Sequence, residues 1–264
     1  MESQTDILLK QAAQSGKPQL EDLTCPLVEL TEDSSTLVVG YGLGQAGVRD
    51  EMIPYFHILG PDANEDPVRL LIVGGWLGSD TAIPLAVARF IAAIESCQDL
   101  IQGLEITAYP VSNVEAYREG VFLTGKQQIE GVKCWSGSTC SHVKVIENEM
   151  TRYNYDAVIL LAESTRGGGL AVDAWDGGGT HLAPLKTIFE SLSGESPELH
   201  WGIDPATPAF ARTFTPIPEN LHQPKEILIS FPPHASAVQG SDVALDLLLK
   251  ITAALQRSSR ASVS

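Results

Sequence analysis

The segment LLIVGGWLGSD, residues 70–80, combines residue types that a reactive loop could use. An apolar run ends in a glycine turn, and a polar residue and the carboxylate of Asp80 follow. A loop of this shape often carries a metal ligand, but the ligand position is taken by Leu77, whose side chain has no lone pair to donate. The segment is therefore either an active site of unfamiliar composition or a loop from which the chemistry has been lost.

A second loop, GLGQAG, matches the glycine pattern of dinucleotide-binding turns through Gly42, Gly44 and Gly47. That pattern also requires a helix that starts at the third glycine and an acidic residue about 20 positions further on. Residues 51–60 instead alternate like a strand, and the apolar run 69–76 ends without an acidic residue. We interpret the loop as a hairpin turn. A nucleotide-dependent enzyme remains a hypothesis that the binding of NAD or ATP analogues would test.

Two cysteines and a histidine lie close together in CWSGSTCSH, as Cys134, Cys140 and His142. Their spacing is not the C-x-x-C of structural zinc sites, so a loop disulfide or two free thiols is the better interpretation. The six histidines form no H-E-x-x-H pair. His181 and His234 lie in loops that could border a crevice, which leaves a relocated metal site open. No G-x-S-x-G segment supplies a serine nucleophile.

The elements that would position these loops are predicted from hydrophobic periodicity and turn residues. Ser241 or Asp242 is the expected cap of the last helix, and Pro54 suggests that its strand lies at an edge of the sheet. Glycine-rich loops at 164–181 and 202–210 should shape one crevice at the carboxyl ends of the strands. The predicted strands are 35–42, 51–60, 67–75, 104–113, 156–164 and 224–233, and the predicted helices are 4–14, 81–97, 146–155, 183–194 and 241–257.

Strands that alternate with helices predict an α/β fold, with a mixed, mostly parallel sheet and helices on both faces. We find no repeat, linker or change of composition, so residues 1–264 are expected to form a single domain. Its core should span about residues 36–256, with residues 1–20 and 258–264 peripheral.

The charge of the chain narrows its possible partners. Of the 264 residues, 17 are basic and 33 acidic, which gives a net charge of −16. Nucleic acids and anionic membranes select clustered lysine and arginine, so neither is an expected partner. No apolar run approaches the roughly 20 residues that span a bilayer, and the N-terminus has no signal-peptide pattern. We expect a cytoplasmic protein whose oligomeric state is unknown.

The order of these landmarks resembles the zinc carboxypeptidase superfamily, including its succinylglutamate desuccinylase and aspartoacylase branch. In that family a strand ends in G-x-H-G-x-E, whose histidine and glutamate bind zinc. VGGWLGSD is similar, with Leu77 at the histidine position and Asp80 at the glutamate position. The family's N-P-x-A or N-P-x-G segment is matched by NVEA, which keeps Asn113 and Ala116. The resemblance covers residues 36–256 in order and spacing.

Three further family positions are matched without their signature side chains. The segment EGVKCWSG has Trp135 and Ser136 where an asparagine and an arginine would hold the substrate carboxylate. VILLAES has Ala162 at the position of the third zinc ligand, followed by Glu163. EILISFPPHAS places Ser230, or the residue after it, where a glutamate would activate water.

The resemblance therefore implies a degenerate active site that lacks its zinc ligands, general base and arginine clamp. We expect a non-catalytic carboxypeptidase-like protein without a cofactor. It would bind an unknown small molecule or peptide in the old crevice, or the crevice would simply be plugged. The alternative is an active metallohydrolase (peptidase, deacylase or amidase) with zinc at a relocated site. The crevice would be lined by Trp76, Leu77, Asp80, Asn113, Arg118, Trp135, Ser136, Ala162, Glu163, Arg166 and Ser230.

Overall fold

The computed structural model describes residues 3–14, 16–46, 49–63, 67–121, 141–163, 170–175, 198–201, 224–232, 234 and 236–262. Its helices are α1 (Gln4–Gln14), α2 (Leu20–Asp33), α3 (Ala82–Ser96), α4 (Val114–Glu119), α5 (Ser141–Arg152) and α6 (Ala237–Ser262). Its strands are β1 (Leu37–Ala46), β2 (Arg49–Leu59), β3 (Val68–Val73), β4 (Leu104–Tyr109), β5 (Ala157–Glu163), β6 (Ala171–Trp175), β7 (Glu198–Trp201) and β8 (Lys225–Phe231). None of the helices among these residues has both the length and the apolar character that spanning a bilayer requires.

The described strands form one sheet in the order β1-β2-β4-β3-β5-β8-β6-β7. The pairs β4–β3, β3–β5, β5–β8 and β6–β7 are parallel, and the pairs β1–β2, β2–β4 and β6–β8 are antiparallel. The central strands β3 and β5 are nearly continuous buried apolar runs, as expected for strands with both faces covered. The predicted α/β fold with a mixed, mostly parallel sheet is confirmed.

Helices lie on both faces of this sheet. On one face α1, α2, α3 and α6 pack against one another, and α3 has twelve of its fifteen residues buried, so it lies at the centre of that layer. On the other face α5 contacts β1, where a side chain added at Gly42 would strike Val145 of α5. Leu37 of β1 points the opposite way by strand alternation and is also buried. Both faces of the sheet are therefore part of the core.

GLGQAG was expected to be a hairpin turn, but most of it belongs to strand β1 of the β1–β2 hairpin. Gly42 and Gly44 lie within β1 and pair with residues of β2, and Gly47 lies outside the described residues. The next described element is a strand that begins at Arg49. A dinucleotide fingerprint requires a helix N-terminus at this point to face the pyrophosphate. The order of elements therefore contradicts the nucleotide-site hypothesis.

The bounds of the last helix and the position of the strand that contains Pro54 differ from the expectation. The helix begins at Ala237, so Ser241 and Asp242 lie inside it and do not cap it, and it continues to Ser262 through part of the expected peripheral tail. Pro54 lies in β2, which is an interior strand. Only residues 56–59 of β2 pair with β4, however, so Pro54 lies where β2 has a neighbour on one side only. A proline is tolerated at such a position.

Other differences concern short elements and loops. The predicted strand 104–113 ends at Tyr109, and α4 follows. Part of the expected glycine-rich loop 164–181 forms β6. The predicted helix 183–194 and the loop 202–210 lie outside the described residues.

The N-terminal segment is part of the core, although residues 1–20 were expected to be peripheral. Leu9 of α1 and Leu23 of α2 are fully buried. Helix α2 was not predicted, because Pro26 inside it lacks an N–H donor and its ring crowds the preceding turn. Burial of Leu20, Leu23 and Leu27 along one side of α2 offsets this cost.

A buried arginine joins three helices of this layer. Arg89 of α3 is 3% exposed, and its Nε donates to Asp6 of α1 at 2.7 Å. Its Nη1 donates to the Ser241 hydroxyl and to the Asp242 carboxylate of α6, each at 2.7 Å. The pairing of this buried charge therefore depends on the correct docking of α1 and α6 on α3.

Candidate functional site

The candidate site lies where the carboxyl ends of four strands meet. β4, β3, β5 and β8 are neighbours and parallel, so the segments that follow them leave the sheet at the same edge. Residues 74–81 follow β3, residues 110–113 follow β4, Glu163 ends β5, and His234 lies three residues beyond the end of β8. Ligands of α/β proteins bind at this edge.

Main-chain hydrogen bonds join the loops after β3 and β4. The Gly74 N–H donates to the Tyr109 carbonyl at 2.8 Å, and the Ser112 N–H donates to the Gly74 carbonyl at 3.0 Å. The Asn113 N–H donates to the Gly75 carbonyl at 3.1 Å. These hydrogen bonds hold the two loops together.

The glycines of the β3 loop allow this close approach. Gly75 has a φ of +54°, and a Cβ there would lie 2.8 Å from the Pro110 carbonyl oxygen. A Cβ at Gly78 would collide with the carbonyl oxygens of Ala116 and Val121. Close packing against the main chain alone therefore explains why glycine occupies these two positions.

Trp76 and Leu77 are packed into the core. Trp76 is 4% exposed, and its indole Nε1 donates to the Leu161 carbonyl at 3.0 Å. Leu77, at the expected position of a zinc ligand, is 3% exposed and belongs to the continuous hydrophobic core. The volume beside the loop is filled here by apolar side chains.

Asp80 is the buried carboxyl group of the site. It has no exposed surface, and its Oδ1 accepts the Glu163 N–H at 3.3 Å, whereas its Oδ2 has no hydrogen-bond partner among the described residues. Burial raises the pKa of the Asp80 carboxyl well above its ordinary value, and the negative charge of Glu163 adds to this. The main-chain hydrogen bond and the charge of Lys17 lower the pKa but do not reverse the shift. The environment therefore favours the neutral acid.

In the described part of the structure, the Glu163 side chain caps the start of helix α3. Its Oε1 accepts the main-chain N–H groups of Thr81 and Ala82 at 2.9 and 2.8 Å. Thr81 precedes α3 and makes no side-chain cap of its own, so Glu163 satisfies the free N–H groups of α3 from a neighbouring strand. A carboxylate at this end of a helix also interacts favourably with the helix dipole.

Lys17 is a residue of the site that sequence reasoning missed. Its Nζ donates to the Gly78 carbonyl at 2.7 Å and to the Tyr117 carbonyl, and it lies 3.9 Å from the centre of the Tyr117 ring. Burial lowers the pKa of the Lys17 ammonium, and the charge of Asp80 raises it. Because Lys17 is 61 residues from Gly78 in the chain, no local pattern could reveal this contact.

Other predicted site residues divide into capping, surface and strand positions. The Oδ1 of Asn113 accepts the Ala116 N–H at 3.2 Å and caps α4, while its Nδ2 donates to the Trp76 carbonyl. Arg118 is exposed and pairs with Glu21 of α2 at 3.3 Å, away from the buried residues. Ala162 and Ser230 are cross-strand partners in β5 and β8. Trp135, Ser136 and Arg166 lie outside the described residues.

The residues at this edge do not fit a zinc ion. Catalytic zinc sites use three protein ligands with nitrogen, sulfur or oxygen donors. Leu77 and Ala162 have none, burial raises the pKa of the Asp80 carboxyl well above its ordinary value, and an oxygen of Glu163 is committed to α3. Within the described ranges, no three His, Cys, Asp or Glu side chains are grouped so that they could hold a metal ion.

Some buried polar atoms lack a hydrogen-bond partner in the described part of the structure: Asp80 Oδ2, Tyr109 Oη, Ser112 Oγ and His234 Nε2. Asp80, Ser112 and His234 follow β3, β4 and β8 at the carboxyl edge. The Tyr109 ring instead packs against Tyr55 of β2, with 5.3 Å between the ring centres. Buried polar groups are nearly always hydrogen-bonded, so the three exceptions at the edge need a physical explanation.

Comparison with solved structures identifies the fold. A metallo-carboxypeptidase from Burkholderia cenocepacia matches with a TM-score of 0.65 and 11% identity over 89% of this chain and 68% of its own. A Pseudomonas aeruginosa metallo-carboxypeptidase, in complex with (2-guanidinoethylmercapto)succinic acid, gives 0.60 and 13% over 88% and 68%. The chain has the metallocarboxypeptidase fold. Thrombin activatable fibrinolysis inhibitor also matches, with a TM-score of 0.60 and 10% identity over 94% of this chain and 79% of its own.

This metallocarboxypeptidase-like architecture was expected from the order of weak motifs. No protein-family model and no curated protein sequence matches the chain. The likeness is therefore one of fold at low sequence identity, and the chemistry must be argued from the site itself.

Asp80→Asn is expected to flatten the pH dependence of the free energy of unfolding. When the pKa of a carboxyl group is higher in the folded than in the unfolded protein, the group stabilises the folded state fully only below its ordinary pKa of 3.8. This stabilisation is lost as the pH rises through the folded-state pKa. Asparagine has a similar shape and is neutral throughout. Urea unfolding of wild type and variant from about pH 4 to pH 7 measures the difference, which should increase in favour of the variant as the pH rises.

The exposed carboxylate of Asp99 provides the matched control. Asp99→Asn should follow the wild-type profile. A wild-type minus Asp80→Asn difference that is constant over the same pH range would show that the carboxyl group is ionised in the folded protein.

Proposed function

We propose that the protein is a non-catalytic member of the metallocarboxypeptidase fold, which binds a small molecule or peptide at the carboxyl edge of β3, β4, β5 and β8. The observation that carries the proposal is the burial of Leu77, at 3% exposure, in the position where a zinc ligand is expected. A packed leucine both removes a ligand and fills space beside the loop.

Loss of zinc removes the chemistry on which hydrolysis depends. Zinc lowers the pKa of its bound water to about 7, and without a metal the water remains a poor nucleophile at neutral pH. The position expected for the water-activating glutamate is occupied by Ser230 or Phe231, which pair with Ala162 and Glu163. General-base catalysis typically contributes about 10²–10⁴ in rate. The described residues offer no evident replacement for either contribution.

Retained binding is supported by the unsatisfied atoms at the same edge. The Ser112 hydroxyl can donate and accept hydrogen bonds, and the Asp80 Oδ2 is a second oxygen without a partner among the described residues. His234 adds a ring nitrogen. A ligand that satisfied these groups would recover desolvation costs of about 1–3 kcal/mol each. This favours a polar ligand, such as an N-acyl amino acid or a short peptide, over a purely apolar one.

The proposal is tested with a panel of N-acetyl amino acids and dipeptides, by thermal shift and titration calorimetry. At least one probe should raise the melting temperature, and Ser112→Ala should weaken its binding by about 3–10-fold, the value of one hydrogen bond. Ser79→Ala, at the exposed serine of the β3 loop, is the control and should bind like wild type. If no probe binds, or if probes bind equally well to Ser112→Ala, the ligand-binding proposal fails.

An active metallohydrolase with a relocated metal is the second candidate. His234 favours it, because its Nε2 is buried and has no hydrogen-bond partner in the part of the chain that the structure describes. Its ring lies close to Gly240, which is also close to Ala82 at the start of α3. If a metal is bound there, chelation should abolish hydrolysis of the same probes, and His234→Ala should release the metal.

A further inference from the structure

We propose that the free edge of β1 is a homodimer interface, at which a second copy of this chain adds its own β1 in antiparallel orientation. β1 is the terminal strand of the described sheet and pairs with β2 on one side. An edge strand presents a row of main-chain N–H and C=O groups that can pair with another strand. The interface would extend the sheet across two molecules.

β1 lacks the features that usually prevent edge pairing. Proteins protect edges with charged side chains, proline or very short strands. β1 is ten residues long, LVVGYGLGQA, and contains no charged residue and no proline. The strand at the other end of the described sheet, β7, is only four residues long. The two ends of the sheet therefore differ in their capacity to add a strand.

Large apolar side chains are exposed along the same hairpin. Val38, Tyr41 and Leu43 of β1 are 60%, 51% and 71% exposed. Met52, which pairs with Leu43 in the β1–β2 register, is 61% exposed. By strand alternation Tyr41, Leu43 and Met52 lie on one face of the hairpin and Val38 on the other. Neighbouring exposed apolar groups such as the three on one face are typical of protein interaction surfaces. Pairing of the edges would remove part of this surface from water.

Charge favours a second copy at this edge. The chain has a net charge of −16, so two copies repel wherever acidic surfaces meet. Residues 34–48, which include β1, are uncharged, so this edge can approach its own copy without bringing acidic side chains together. Antiparallel pairing of one strand with itself is also compatible with a two-fold axis, the commonest symmetry of protein dimers.

The expected interface is small, so the dimer should be weak. Ten antiparallel residues extend about 34 Å. An edge of that length with its side chains buries on the order of 500 Å² per copy, near the lower limit of about 600 Å² for specific interfaces. We therefore expect dissociation in the micromolar range, and stronger association at high salt, because salt screens the repulsion between the two acidic chains.

Sedimentation velocity of the full chain from about 1 to 100 µM tests this interface. Wild type should change from monomer to dimer over this range, and Leu43→Lys and Val38→Lys should each weaken dimerisation at least about tenfold by placing charges on the edge. Val243→Lys replaces an exposed apolar residue of α6 (42% exposed) and is the matched control. It should dimerise like wild type.

Hydrogen exchange measures whether the main-chain amides of β1 become hydrogen-bonded in the dimer. Amides of β1 that do not pair with β2 should become protected as the concentration rises. The proposal is overturned if wild type stays monomeric throughout, or if a dimer forms that Leu43→Lys and Val38→Lys leave unchanged.

Discussion

Leu77→Ala is expected to lower the free energy of unfolding by about 2–5 kcal/mol, the range for removal of a large aliphatic side chain from a packed core. The reason is that Leu77 is 3% exposed and belongs to the continuous hydrophobic core, although it lies in a loop at the edge where ligands bind. A leucine that lined an open pocket would cost far less to truncate. Equilibrium urea unfolding measures the difference.

Leu100→Ala is the control for this variant. Leu100 lies in the short helical turn after α3 and is 37% exposed, so its truncation should cost less than about 1 kcal/mol. If the two variants were equally stable, Leu77 would not fill the position next to the loop, and the account of a zinc position replaced by core packing would be wrong.

Arg89→Ala is expected to cost about 3 kcal/mol, at the lower end of the range for breaking a buried ion pair. The side chain of Asp6 is only 12% exposed; it loses its ion pair to Arg89 and keeps only its contact with Lys10 at 3.3 Å. Asp242 is 55% exposed and can be solvated, so most of the loss should come from Asp6 and from the docking of α1. Urea unfolding and the protease sensitivity of the N-terminal segment provide the measurements.

The Arg118–Glu21 pair is the matched control, since its side chains are 56% and 63% exposed. Arg118→Ala should cost no more than about 1 kcal/mol, as is usual for surface ion pairs. In the double variant Arg89→Met, Asp6→Leu, much of the lost stability should return, because no unpaired charge remains between α1 and α3. Equal losses for Arg89→Ala and Arg118→Ala would contradict the buried network.

The central strands and helix α3 could be predicted because elements that are buried on several sides have mostly apolar sequences. In VRLLIV and AVILLAE the polar residues, Arg69 and Glu163, lie at half-buried positions near the strand ends, and the fully buried positions are all apolar. The apolar spacing of residues 81–97 likewise indicated α3. The order of these elements, together with the glycine loop, resembles that of the metallocarboxypeptidase fold.

Elements stabilised by distant contacts could not be predicted. Helix α2 contains Pro26, which local rules place at a helix end, and it forms because its apolar side packs on the core. Helix α6 starts before Ser241 and Asp242 because these residues bind Arg89 of α3 instead of capping the helix. Tertiary packing decided both boundaries.

The candidate site was predicted in position but not in its contacts. Leu77, Asp80, Asn113 and Glu163 lie at the expected edge of the sheet. The capping of α3 by Glu163 joins residues more than 80 positions apart in the chain. The same is true of the hydrogen bond from Lys17 to the carbonyl of Tyr117, 100 residues away. Spacing within one segment carries no information on such pairs.

The central claim is that the zinc position of this metallocarboxypeptidase fold is occupied by side chains that cannot bind the metal. Calorimetric titration of the full chain with zinc at neutral pH, together with elemental analysis of protein prepared without chelator, tests it most directly. We predict no stoichiometric zinc in the isolated protein and no site with a Kd below about 1 µM. One tightly bound zinc per chain, released by Asp80→Asn or His234→Ala, would contradict the claim.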